Sequence, residues 1–120
     1  MENVDDVYAG APNLVKQIQN VRRHGVSPVV AINSFADDHA SEVAAIRAIA
    51  EEAGARCAVS SHFAEGGRGA IELAEAVAEA AEEPSTFQLL YPDEATLRQK
   101  IETIAPEIYG AAGVEYSAVA

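Results

Sequence analysis

Pro28-Val29-Val30-Ala31-Ile32-Asn33 is the stretch that decides the fold class. It is a continuous apolar run with β-branched Val29, Val30 and Ile32, and it ends at a polar residue. A run without polar alternation predicts a strand buried on both faces, as in a parallel sheet covered by helices. Upstream, Leu14, Ile18 and Val21 recur at helical spacing within residues 12–24, and Gly25 follows where a helix C-terminus wants a glycine. Downstream, Asp38 is placed to cap a second helix with Glu42 in its first turn. Val43, Ile46, Ala50 and Ala53 fall on one face of that helix, and Gly54 ends it. Arg56 to Ser60 is a second short strand. Two short apolar strands joined by a helix predict a parallel pair with a right-handed crossover.

The remaining chain reads in the same way. The loop Ser61 to Gly69 precedes a helix from Ala70 to Glu82, with Ile71, Ala74, Val77, Ala78 and Ala81 inward. Phe87 to Tyr91 is a third strand candidate. Pro92-Asp93 opens a fourth helix whose stripe is Leu97, Ile101, Ile104 and Ile108, kinked or split at Pro106. Gly110 ends it, and Val114-Glu115-Tyr116 is a last short strand. The expected fold is a single α/β domain over residues 1–120, with layered helices around a small, mainly parallel sheet.

Composition narrows the function classes. With 19 acidic and 8 Lys/Arg residues, the formal charge is −11. Phosphate backbones and anionic membrane surfaces need clustered cations, so neither nucleic acid nor membrane is expected as a partner. Apolar residues make up 49% of the chain, too many for disorder. A lone cysteine, Cys57, forms no internal disulfide and cannot supply a thiolate zinc site. It reads as a small buried apolar residue. The acidic start MENVDDVYAG does not resemble a signal peptide, and no apolar run approaches the ~18 residues of a membrane span. A cytoplasmic protein is expected.

Open α/β sheets bind ligands beyond the carboxyl ends of their strands. Two loops occupy that position, Asn33 to Asp38 and Ser61 to Gly69, and neighbouring strands would place them side by side. Each carries one aromatic, Phe35 and Phe63, and two rings on adjacent loops can clamp a flat heterocycle. The alternative is that each ring packs over its own helix. Gly66-Gly67-Arg68-Gly69 stands before a helix and could form an anion-binding nest, or simply a turn that lets a large loop close. The chain lacks the GxxxxGK[ST] phosphate loop, and its two lysines, Lys16 and Lys100, follow no glycine-rich run. Asp37 and Asp38 could hold a cation or accept a phosphoryl group, or else serve as a helix cap and a solvated carboxylate. His24, His39 and His62 show no metal-ligand spacing, although His62 could touch a ligand from its loop.

At these residues the sequence resembles formate–tetrahydrofolate ligases. The resemblance runs through Asn13-Leu14, Ile18 and Asn20, then Val29-Val30-Ala31-Ile32-Asn33 with Phe35 and Asp38. It continues through Gly66-Gly67 and Gly69, Leu73-Ala74 and Val77. Its most specific stretch is Lys100 to Ala105, Glu107 to Ala111 and Gly113 to Tyr116. Such enzymes are several times longer, and they join formate to tetrahydrofolate through formyl phosphate, using ATP with Mg. The resemblance implies an internal segment without the phosphate-loop domain, with no tightly bound cofactor of its own. It implies that Phe35 and Phe63 sandwich the folate ring system, and that Asn33 and Asp38 shape the loop or meet polar folate edges. Gly66, Gly67, Arg68 and Gly69 would shape the loop or meet an anion. No residue here is assigned the chemical step, and the whole enzyme would form homo-oligomers.

Departures from the family pattern are local. The family loop usually reads Trp-Ala-Lys-Gly-Gly-x-Gly, and here it is Phe63-Ala64-Glu65-Gly66-Gly67-Arg68-Gly69. Phe keeps a stacking face but loses area and the indole N–H. Gln17 stands where the family commonly has His, and His39 where Thr usually follows the aspartate. Two rival readings are a non-catalytic binding or interaction module that keeps the fold, and a phosphoacceptor using Asp37 or Asp38.

Overall fold

The computed structural model describes residues 2–119. Its sheet consists of β1 (Val29–Asn33) and β2 (Arg56–Ser60), paired in parallel from Val29 opposite Arg56 to Asn33 opposite Ser60. Helix α1 (Val4–Arg23) precedes β1, and α2 (Ala40–Glu52) connects the two strands. A four-residue helix α3 (His62–Glu65) and a 3-10 turn (Gly66–Ala70) follow β2. They lead into α4 (Ile71–Glu82), and α5 (Leu97–Tyr109) lies near the end. The fold is α/β, with helices layered on a small parallel sheet. No described helix is long and apolar enough to cross a membrane.

Strand alternation splits the sheet into two faces. Val30, Ile32, Cys57 and Val59 point one way and join Ile18 of α1 with Val43, Ile46 and Ala50 of α2 in the main core. The expected inward face of α2 is thus the observed one, with Ala45 and Ile49 buried as well. Arg56, Ala58 and Ser60 lie on the face that α4 covers, and Arg56 Nη2 reaches Glu83 at 2.7 Å. Arg47 ties the layers together. Its guanidinium donates to the Cys57 carbonyl and to Glu72 of α4, each at 2.8 Å.

Several expectations are corrected. β1 is not buried on both faces, because α4 sits mainly over β2 and leaves Ala31 exposed. Helix α4 presents Leu73, Ala76 and Ala80 inward instead of Ile71, Ala74, Val77, Ala78 and Ala81, all of which are exposed. Helix α1 begins eight residues earlier than the spacing suggested, capped by Asn3, whose side chain accepts the Asp6 N–H. Pro12 lies inside it, and the carbonyl it leaves unpaired belongs to exposed Tyr8, where water can take the bond. Asp38 does not cap α2. The cap position is His39, without a side-chain hydrogen bond.

Phe87 to Tyr91 forms no strand. The backbone of this region is spent on the turn after α1, where Thr86 N–H donates to Gly25 C=O at 3.1 Å and Gln88 N–H to His24 C=O at 3.0 Å. That close approach requires glycine at 25, which has φ +74° and would place a Cβ 2.2 Å from the Thr86 carbonyl oxygen. Pro92 to Ala95 is a turn, and α5 starts later, at the capping box of Thr96 and Gln99. Pro106 does not split α5. Leu97 and Ile101 of its expected inward stripe are exposed. Lys16 Nζ takes the Glu107 carbonyl at 2.9 Å, and Asn20 the Ile108 carbonyl at 3.3 Å, so α1 satisfies the last turn of α5. Val114 to Tyr116 has no ladder partner, and Tyr116 instead lies under the Arg98 guanidinium at 4.5 Å.

Candidate functional site

The carboxyl ends of β1 and β2 stand side by side, and the ladder continues one step past β1. Ser34 N–H donates to Ser60 C=O at 2.9 Å. The two following loops therefore start from one point. In the first, a tight turn closes on itself: Phe35 N–H donates to Asp38 Oδ2 at 2.7 Å, and Asp38 N–H donates to Phe35 C=O at 3.1 Å. An aspartate that takes a backbone N–H three residues back is a turn former, which is why Asp38 is lost as a helix cap. The turn holds the Phe35 ring outward, half exposed.

The second loop is folded into a short helix and a 3-10 turn. Its neck is closed by Ser61 N–H donating to Gly69 C=O at 3.0 Å. The Ser61 carbonyl accepts from Ala64 and Glu65, each at 3.0 Å, forming the short helix that carries Phe63. Gly66 then turns the chain at φ 59°, ψ −143°, a conformation reserved for glycine. A Cβ at Gly69 would stand 2.6 Å from the Ser61 backbone, so closure of the neck also needs glycine. Gly67 has open space around it. Loop-shaping is thus the observed work of Gly66 and Gly69. Arg68 is exposed in the 3-10 turn, with no carboxylate within ion-pair distance among the described residues.

The two rings meet. Phe35 and Phe63 have centroids 5.7 Å apart with planes tilted by 54°. The reading in which each packs over its own helix is not what the geometry shows, since Phe63 is 80% exposed and its neighbour is the other ring. Aromatic faces touch at about 3.5 Å, so a flat ring held between two others needs about 7 Å. The pair is therefore closed on itself, and an entering heterocycle must part it. Asn33, Phe35 and Asp38 line one recess of about 560 Å³ with Asp6, Glu42 and Ile46. Phe63 does not line this recess and is connected to it by its contact with Phe35.

Ser60 was not singled out in the sequence, although a serine ending an apolar run was its signal. It is 1% exposed, with Oγ 3.0 Å from His62 Nδ1. Asp37 and His39 make no side-chain contact that joins them to the ring pair. Lys16 and Lys100 are both engaged elsewhere, Lys100 Nζ donating to Asp93 C=O at 3.2 Å and standing over the Tyr91 ring.

Comparison with known proteins adds the family. The family model described as formate–tetrahydrofolate ligase matches residues 1–120. A formate–tetrahydrofolate ligase of Saccharopolyspora erythraea is 67% identical over 119 residues, covering 99% of this chain and 21% of that protein. A Rubrobacter xylanophilus protein of the same name is 57% identical over 128 residues, covering 99% of this chain and 22% of its own length. A third, from Dehalococcoides mccartyi, is 53% identical over 114 residues. The chain spans about a fifth of the length of these relatives. With every residue inside the family match, the chain belongs to the formate–tetrahydrofolate ligase family.

Proposed function

We propose that this chain supplies the folate side of an ATP-dependent ligase that joins formate to tetrahydrofolate and yields 10-formyltetrahydrofolate. The observation that carries this reading is the meeting of Phe35 and Phe63 from two loops at the carboxyl ends of parallel strands. A flat pterin can replace the ring–ring contact with two stacking contacts of its own, which offsets the cost of parting the pair, about 0.5–1.5 kcal/mol. The adjoining recess suits the pterin edge, because Asp6, Asp38 and Glu42 are acceptors and a tetrahydropterin is rich in N–H donors.

The residues present do not suit ATP. Both lysines are committed to backbone carbonyls, and the chain carries no phosphate-binding loop. Nucleotide binding and formyl phosphate chemistry are therefore assigned to the four-fifths of the relatives' length outside this segment. Small-molecule substrates also fit the charge of −11, which repels nucleic acid. The 120 residues alone should bind tetrahydrofolate without turning it over.

The test is an NMR titration of the isotope-labelled chain with tetrahydrofolate. Saturable shifts at Phe35, Phe63 and Gly66 to Gly69 are expected, with a Kd about two- to tenfold weaker in Phe35→Ala, the range of one aromatic contact. An unchanged Kd in that variant, or no shifts at millimolar ligand, overturns the reading. Turnover by this chain alone in a coupled assay overturns the division of labour.

A further inference from the structure

Both ring-bearing loops hang from one buried residue. The Ser60 carbonyl holds the N–H of Ser34, which immediately precedes Phe35. Its hydroxyl lies 3.0 Å from Nδ1 of His62, which immediately precedes Phe63. We propose that Ser60 is the positioning residue of the ring pair and that its hydroxyl, acting through His62, sets where Phe63 stands relative to Phe35. This rests on reading the pair as a ligand clamp.

The physical argument begins with burial. At 1% exposure the Ser60 hydroxyl has little access to water, so losing His62 would leave it without a partner. The hydroxyl can donate to a neutral Nδ1 or accept from Nδ1–H, so the contact survives either ring tautomer. His62 itself is exposed and is the first residue of α3, a helix that packs mainly against its own following 3-10 turn. The other ties of that helix are the Ser61–Gly69 neck, the Ser61 hydroxyl donating to Glu65 at 3.2 Å, and the contact of Phe63 with Phe35. Among the described residues, the Ser60–His62 bond is thus the side-chain hydrogen bond from a residue of β2 itself to the Phe63 arm. The two rings are held differently. Phe35 depends on the Ser60 backbone and on Asp38, and Phe63 depends on the Ser60 side chain.

That asymmetry is testable with the full 120-residue chain. In the unaltered chain, NOEs between the Phe35 and Phe63 ring protons are expected from the 5.7 Å spacing. In Ser60→Ala and in His62→Ala these NOEs should vanish, while the Ser34 amide shift and the β1–β2 contacts stay in place. The Kd for tetrahydrofolate should rise about tenfold in each variant, the scale of one hydrogen bond. His62→Asn should restore both readouts to within about threefold, because its amide can stand where Nδ1 stands. His62 is exposed, so its variants keep the test open if Ser60→Ala does not fold. Ring NOEs that persist in His62→Ala, or a His62→Asn variant as impaired as His62→Ala, overturn the proposal. The two readings also fail separately. NOEs lost as expected with no tetrahydrofolate binding in the unaltered chain would leave the positioning role standing and remove the folate reading. Tight folate binding with unmoved NOEs would do the reverse.

Discussion

At Cys57, burial works against ionisation. The thiol lies on the core face of β2, and loss of water pushes its pKa above the ordinary thiol value, partly opposed by the nearby Arg47 cation. A raised folded-state pKa means that the folded chain keeps the proton that the unfolded chain releases first. The associated stability is complete below the ordinary thiol pKa of about 8.5 and declines as pH rises through the folded value. A thiol reagent at neutral pH should therefore react at least about tenfold more slowly with the folded chain than with the urea-unfolded chain. Midpoints of urea unfolding should decline as pH rises above about 8.5, and a Cys57→Ala variant should lose that part of the decline. Equal labelling rates in the two states would contradict the burial argument. The sequence alone identified Cys57 as a buried apolar residue because it lies in a mostly apolar short strand, with Ala55, Ala58 and Val59 around it and Arg56 pointing to the opposite face.

Helix α4 shows what pattern reading resolves and what it leaves open. Its sequence is apolar on two sides, since Ile71, Ala74, Val77, Ala78 and Ala81 follow one helical stripe and Leu73, Ala76 and Ala80 another. Periodicity established the helix but could not say which stripe meets the sheet. The structure turns the second inward, with Arg56 of β2 pairing to Glu79 and Glu83 beyond it. Leu73→Ala should thus destabilise the chain by about 1–3 kcal/mol, and Val77→Ala should stay within about 0.5 kcal/mol, read by urea unfolding. The reverse ranking would mean that the first stripe faces the sheet. The start of α5 is legible in the sequence. Thr96-Leu97-Arg98-Gln99 has the spacing of a capping box, a stronger local signal than Pro92-Asp93.

The whole molecule is more open than its length requires. Its radius of gyration is 17.9 Å and its surface 8394 Å². A self-contained chain of this size would have about 13–14 Å and about 6,200 Å². Much of the exposed apolar surface lies on the outer face of α4, on the segment around Phe87 and Leu89, and along α5, where Leu97 is 81% exposed. Helix α5 has no buried residue, whereas Ala50 and Ala58 are wholly buried. Native-state hydrogen exchange should find the α5 amides opening locally and early, with those of Ala50 and Ala58 the slowest. Exchange of α5 at the rate of β2 would show that the molecule opens as one unit.

The βαβ core and its two ring-bearing loops were determined by residue order alone. The short apolar runs at 29–32 and 56–60 had to pair, and Gly25 and Gly54, each at positive φ, had to end helices. Chain connectivity then placed Phe35 and Phe63 at the same end of the sheet. Tertiary structure decided matters that depend on neighbours distant in sequence. Phe87 to Tyr91 had strand composition but joined neither sheet edge, because the Thr86 and Gln88 amides are bonded to the α1 turn instead. Asp38 had the chemistry of a cap but found a nearer donor in Phe35. Ser60 became a shared anchor only because β1 lies beside it and a four-residue helix folds over it. Propensity and period act over a few residues, whereas burial and hydrogen-bond competition are settled only when the whole chain is in place.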